Sequence, residues 1–200
     1  VATMEELCKQ IEELREKNSK ILNEKINEEL VQLEMKNARF NAKVIEDGEF
    51  SINGKSHVEF VITTNLGEEE KKLNKIASGG EMSRIMLAIK TVLSDIDEVP
   101  VLIFDEIDTG ISGKAANSVG SKLKKIAKKH QVIIVTHLAT IAAQGDYNYY
   151  IYKEVAANKT NTNVKLLNES ETIREIARIA SGEITEISLS HARELRNKNV

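Results

Sequence analysis

Three short clusters carry the residue types from which phosphoryl chemistry is built. Ser78-Gly79-Gly80-Glu81 stands just ahead of a periodic apolar run, at a helix start. Ser78 and Glu81 fit the S-x-x-E capping box. Capping tolerates any side chain at the two positions between them, yet both are glycine. Paired glycines strip the surface so that an anion can meet backbone N–H groups at the positive end of the helix. A well-capped helix and nothing more is the competing reading. The second cluster ends the apolar run Val101–Phe104 in two adjacent carboxylates, Asp105 and Glu106. Such a pair is costly unless a cation or a proton needs it. Asp105 is placed to hold Mg²⁺, directly or through water. Glu106 points the other way off the strand end and can orient and deprotonate an attacking water. A polar strand end meeting solvent is the alternative. The third cluster is Thr136-His137, at the end of the next apolar strand. His137 would stand one or two strand spacings from Glu106, within reach of a terminal phosphate.

Those clusters must be held by particular elements. Met82, Ile85, Met86, Ile89, Leu93 and Ile96 form one helical stripe, which predicts a helix from about Glu81 to Ile96. Pro100, the sole proline, opens the strand VLIF; a helix from about Ser112 to Lys129 leads to the strand QVIIV. Strand, helix, strand, helix between residues 100 and 145 is a parallel α/β pattern. Uniformly apolar strands suit a sheet buried on both faces. Ligands of such sheets sit beyond the carboxyl ends of the strands, where both chemical clusters fall.

Residues 1 to about 35 are charged and helical, without glycine or proline. Met4, Leu7, Ile11 and Leu14 keep coiled-coil spacing, which slips later to Leu22, Ile26, Leu30 and Leu33. A surface helix packed on a domain and one arm of an antiparallel coiled coil both fit. From Ala38 the period becomes two: Ala38, Phe40, Ala42 and Val44 form a strand that Glu46-Asp47-Gly48 turns. His57 to Thr64 is a second strand, closed by Asn65-Leu66-Gly67. Further strands are expected at Tyr147–Glu154 and Asn163–Leu167, a short helix after His137, and terminal helices from near Ser170 and Glu186.

The 200 residues suffice for one sizeable core with an appendage. A net charge of −3 gives no bulk electrostatic reason to expect nucleic-acid or membrane binding. The start, VATMEELCKQ, lacks the regions of a signal peptide, and no apolar run is long enough for a membrane helix. The one cysteine, Cys8, cannot form an internal disulfide, and a reducing cytoplasm is the natural compartment. The four histidines lack clustered metal-ligand spacing, which argues against zinc. Lys122, Lys124, Lys125, Lys128 and Lys129 make a basic helical face, read as solvated rather than DNA-binding. Two resemblances mislead. Gly54-Lys55-Ser56 copies the end of a P-loop, but position 49 is Glu49 and a strand follows, so a hairpin turn is expected. Ile179 to Glu183 echoes the 78–81 loop without its second glycine and reads as a helix end.

SGGEMSR, LIFDEIDTGISG and VTHLATIAA, in this order and spacing, resemble the carboxyl-terminal half of the RecN family, bacterial SMC-like ATPases of double-strand-break repair. The likeness extends to the YKE strand end and the terminal HARELRNK. The SGGE element is common to ABC ATPases; DEIDTGISG is much narrower. The resemblance implies an ABC-type head lobe over residues 37–200, with a parallel sheet flanked by helices, and a coiled-coil arm stump over residues 1–36. It implies that the P-loop lies in a separate amino-terminal lobe of the same protein. Ser78, Gly79, Gly80 and Glu81 would then be a signature loop that binds the γ-phosphate of ATP held by a second head, completed in trans on dimerisation. Asp105 would be the Walker B aspartate for Mg²⁺, Glu106 the catalytic base and His137 the switch histidine. Asp108, Thr109, Gly110 and Ser112 would form the D-loop at the dimer interface. Two departures stand out: Ser112, where ABC and SMC proteins usually have Asp, and Ala139-Thr140, where Pro-Gln is frequent. The implied function is ATP-driven head dimerisation and hydrolysis in DNA repair and recombination, with DNA as a partner of the intact protein. The implied location is the bacterial cytoplasm and nucleoid. The alternatives are an SMC-type or other ABC lobe, or a non-catalytic coiled-coil module. A transporter lobe would usually carry Gln at position 81.

Overall fold

The computed structural model describes residues 2–156 and 159–198. Its first element, α1 (Ala2–Gln32), is a single 31-residue helix, as expected of a stretch with no helix breaker. Its two halves have different surroundings. Met4, Leu7 and Leu14 are exposed, whereas Ile26, Leu30 and Leu33 are fully buried. Met4, Leu7 and Leu14 thus stay open to solvent, while the second half of the seam joins the lobe's main core. Cys8 is a free thiol of intermediate exposure.

Strands β1 (Arg39–Ser51) and β2 (Gly54–Thr63) pair antiparallel, with Phe40 opposite Ile62 and Ala42 opposite Phe60. The short β3 (Lys71–Lys72) extends this sheet at β2. Two asparagines of α1 satisfy the free edge of β1. Asn27 donates to Phe40 O and accepts from Phe40 N, both at 2.9 Å, and Asn23 Oδ1 accepts from Ala42 N at 2.7 Å. Covering an edge in this way blocks further strand pairing. The expected turn at 46–48 is not where the chain reverses. β1 runs on through an irregularity after Glu46, and the reversal comes at residues 52–53, between Ser51 and Gly54. Gly48 (φ 76°) serves the irregularity, and Gly54 (φ 95°) completes the turn. Gly54-Lys55-Ser56, expected as the turn itself, instead opens β2 just after it. Arg15 reaches from α1 to this tip, donating to Asn53 O at 2.8 Å and Ser56 O at 2.5 Å.

The chemical clusters lie on the next elements. Helix α2 (Gly79–Leu93) precedes β4 (Val101–Phe104), then α3 (Gly113–Ile126), β5 (Gln131–Ile134) and the short α4 (Ala139–Ala142). β4 and β5 pair in parallel, Phe104 opposite Ile134, as the strand–helix–strand pattern requires. The expectation of burial on both faces does not hold. Leu102 and Phe104 are buried against the helices, but Ile103 is 68% exposed, and Val101, Ile133 and Val135 are exposed with it. Within the described residues this sheet is two strands wide, and one apolar face is open.

A twisted ribbon of β6 (Tyr149–Ala156) and β7 (Lys159–Leu166) follows, then α5 (Glu169–Ser181) and α6 (Glu186–Asn197). Asn168 caps α5 with a complete capping box, and Gly182 ends it in the left-handed region. Ala142, Ala143, Ile176, Ala177 and Ala192 form a second, smaller core under these helices. The lysine face of α3 is used within the chain: Lys122 bonds Glu29 and Gln32 of α1, and Lys129 pairs with Asp95. It is therefore not simply a solvated stripe. No described helix is long and apolar enough to cross a membrane.

Candidate functional site

The parallel register puts the carboxyl ends of β4 and β5 side by side, and Val135 N donates to Phe104 O at 3.0 Å. Asp105 and Glu106 leave one strand; Thr136 and His137 leave the other. Asp105, Glu106 and His137 are all exposed at this edge. Asp105 Oδ1 accepts from Glu106 N at 2.9 Å, and Ser83 Oγ donates to Asp105 O at 2.7 Å. The latter bond ties the strand end to the first turns of α2. Glu106 has φ 56°, a left-handed conformation that a non-glycine residue adopts at a cost. That backbone reversal carries the Glu106 side chain back over α2.

At the tip of α2, Ser78 accepts from Glu81 N at 3.4 Å, so half of the capping box forms. The two glycines have separate reasons. A β-carbon at position 79 would overlap Glu106 Oε2, the end of a side chain that can move. A β-carbon at position 80 would lie 3.0 Å from Glu106 O and from Thr109 Cβ, and 3.1 Å from Thr109 O. Gly80 is buried and Gly79 exposed. Gly80 thus has a packing reason of its own: its absent side chain makes room for this chain's own 106–109 segment. Arg84, buried one turn further along α2, donates to Ile107 O at 3.3 Å and Thr109 O at 2.8 Å. Burial pulls its guanidinium below the usual range, opposed by nearby Glu81.

The four expected D-loop residues part company. Thr109, Gly110 and Ser112 are exposed, and Gly110 needs its left-handed φ of 74°. Asp108 is 1% exposed. Its Oδ2 accepts from Thr136 Oγ1 at 2.5 Å and from His137 N at 2.8 Å, and His137 Nδ1 lies 3.2 Å away. Sequence reasoning placed Asp108 in an interface loop and missed its bonds to the neighbouring strand end. The signal available was a third acid, two residues after Glu106, in a segment with a buried Ile107.

The donor set can be tested against Mg²⁺ and a nucleotide. Among the described residues no group of three or more His, Cys, Asp or Glu converges as a metal cage. Asp105 fits as one ligand of a hard cation whose other ligands are phosphate oxygens or water. Ser78, Gly79 and the first N–H groups of α2 fit a phosphate, at a tip that Glu106 now overlies.

No protein-family model matches the chain. It is 43% identical over 179 residues to the DNA repair protein RecN of Halalkalibacterium halodurans, covering 87% of this chain and 32% of that protein. The RecN of Haemophilus influenzae is 40% identical over 183 residues, 90% of this chain and 33% of that one. That of Bacillus subtilis is 46% identical over 139 residues, 69% and 24%. An Smc head domain with coiled coil and joint, from Pyrococcus yayanosii, matches with a TM-score of 0.53 at 18% identity over 80% of this chain and 29% of that chain. That likeness is one of fold. The chain therefore carries the sequence and the fold of a RecN-family head lobe, in a segment that spans about a third of the RecN proteins it matches.

Proposed function

We propose that this lobe is one half of an ATP-binding and hydrolysing head of an SMC-like DNA repair protein, and that it acts only with two partners. The first partner is an amino-terminal lobe of the same protein, bearing the P-loop. The second is another head, joined through ATP in a homodimer. One observation carries the reading: three exposed groups suited to phosphoryl transfer, Asp105, Glu106 and His137, share a sheet edge beside an apolar face that nothing in the described chain covers. An uncovered Val/Ile face on a parallel sheet fits a missing neighbouring lobe.

In that assembly Mg²⁺ would supply charge neutralisation at the phosphate oxygens. Asp105 holds the cation from the strand end. Glu106 orients a water and takes its proton. His137 faces the terminal phosphate, and Ser78 with the tip of α2 receives the terminal phosphate of the opposite head's nucleotide. The seam of α1 (residues 1–36) pairs with the returning strand of an antiparallel coiled coil. The reading extends to double-strand-break repair and recombination, with DNA as the partner of the intact protein and a place at the nucleoid in the bacterial cytoplasm, and the likeness to RecN proteins supports it.

The test is to mix this chain with its amino-terminal lobe and measure ATP hydrolysis, with and without DNA. The mixture should hydrolyse ATP and neither lobe alone should. Micromolar ATP binding by this chain alone, seen by calorimetry, would contradict a shared site. So would a mixture that forms a complex but stays inactive.

A further inference from the structure

We infer that Asp108 is a positioning residue for His137, fixing which ring nitrogen meets the phosphate. The inference rests on the reading of this edge as an ATP site. A carboxylate that is 1% exposed is expensive unless its oxygens are satisfied. All of Asp108's described partners belong to the Thr136-His137 step: Thr136 Oγ1 at 2.5 Å, His137 N at 2.8 Å and His137 Nδ1 at 3.2 Å, each to Oδ2. The side chain of His137 is meanwhile 69% exposed. A free imidazole at such a strand end would rotate about both side-chain torsions. Here its main chain donates to one buried oxygen, and its inner nitrogen stands 3.2 Å from that same atom. A proton on Nδ1, the nitrogen beside the carboxylate, would leave Nε2 as the outward nitrogen, and an outer partner of this kind sets both tautomer and ring plane. Arg84 braces the anchor from the other side, through the carbonyls of Ile107 and Thr109 that flank Asp108.

A purely architectural role, clipping two strand ends together, makes a different prediction. The discriminating experiment is a double-mutant cycle in the two-lobe complex, with Asp108→Asn, His137→Ala and the pair. Asp108→Asn should lower kcat by roughly tenfold or more while the KM for ATP stays within about twofold. In the His137→Ala background it should cost nothing further in kcat. An equal, independent loss in that background would overturn the inference and leave the ATP-site reading standing. Full turnover in His137→Ala itself would instead remove the reading on which the inference depends. If Asp108→Asn fails to fold, ¹⁵N-histidine NMR on the unmodified chain decides: His137 should carry its proton on Nδ1, and a bare Nδ1 would overturn the inference.

Discussion

The Glu106 carboxylate lies across the α-carbon of Gly79, at the first turn of α2. An anion at a helix N-terminus is favourable, and here the helix tip that would greet a phosphate meets the Glu106 carboxylate. Any phosphate that settles at this tip competes with Glu106. Glu106, the proposed base, and the 78–81 loop of one chain are thereby linked.

The two glycines should separate in stability measurements. Gly80→Ala presses a methyl group against the Glu106 carbonyl and Thr109, which can only shift with the backbone. Overpacking of that kind costs about 1–3 kcal/mol. Gly79→Ala meets only a mobile carboxylate, and its effect should stay within about 0.5 kcal/mol. Urea denaturation of both variants checks this; equal losses would show that the loop, not the close approach, sets the cost.

Removing the base should uncouple assembly from turnover. In the intact protein Glu106→Gln should still permit ATP-driven dimers but slow hydrolysis about 10²-fold or more, the scale of a lost general base. Steady-state ATPase rates and sizing chromatography with ATP read the two properties separately. Wild-type turnover in this variant would strip Glu106 of its role.

The open sheet face makes its own prediction. Ile103 and Ile133 are exposed in this chain, so Ile103→Lys with Ile133→Lys should change its stability by no more than about 0.5 kcal/mol per site. The same pair should abolish binding to the amino-terminal lobe, because two charges would be buried without partners. Pull-down between the lobes tests it, and undiminished association would mean that the face is covered by something else.

Acid should weaken the fold in part through Asp97. The ammonium of Lys90, bonded at 2.5 Å, and the amide of Val99, at 3.2 Å, hold its carboxyl below the usual range. A folded pKa below the unfolded one gives stability that is fully present above about pH 4 and is lost as pH falls through the lower folded value. Asp97→Asn should therefore flatten the decline in stability below about pH 4. A decline of unchanged slope in chemical denaturation would assign it to other carboxylates.

What the sequence disclosed was mostly local. The capped helix start at Ser78, terminal helices beginning near Ser170 and Glu186, and the strand–helix–strand core follow from capping chemistry and periodicity. Its errors arose where distance along the chain hides a contact. Gly80 is glycine because residues 106 and 109 come back against it, and no spacing rule reveals that. Asp108 looked like a loop acid because its partners lie 28 and 29 residues away. The uniformly apolar runs of β4 and β5 could not disclose an open face, since such strands read alike whichever chain covers them. The turn at 46–48 was misplaced because a glycine with positive φ serves a strand irregularity as readily as a reversal.

The strap from Arg15 to the hairpin tip, together with the burial of Ile26, Leu30 and Leu33, leaves α1 no hinge where it meets the lobe. A helix of 31 residues is about 46 Å long. Clamped at its root, it works as a pointer: a tilt of roughly 10° in the lobe displaces the far end by about 8 Å. Small rotations at the β4–β5 edge would thus arrive, magnified, at the far end of α1.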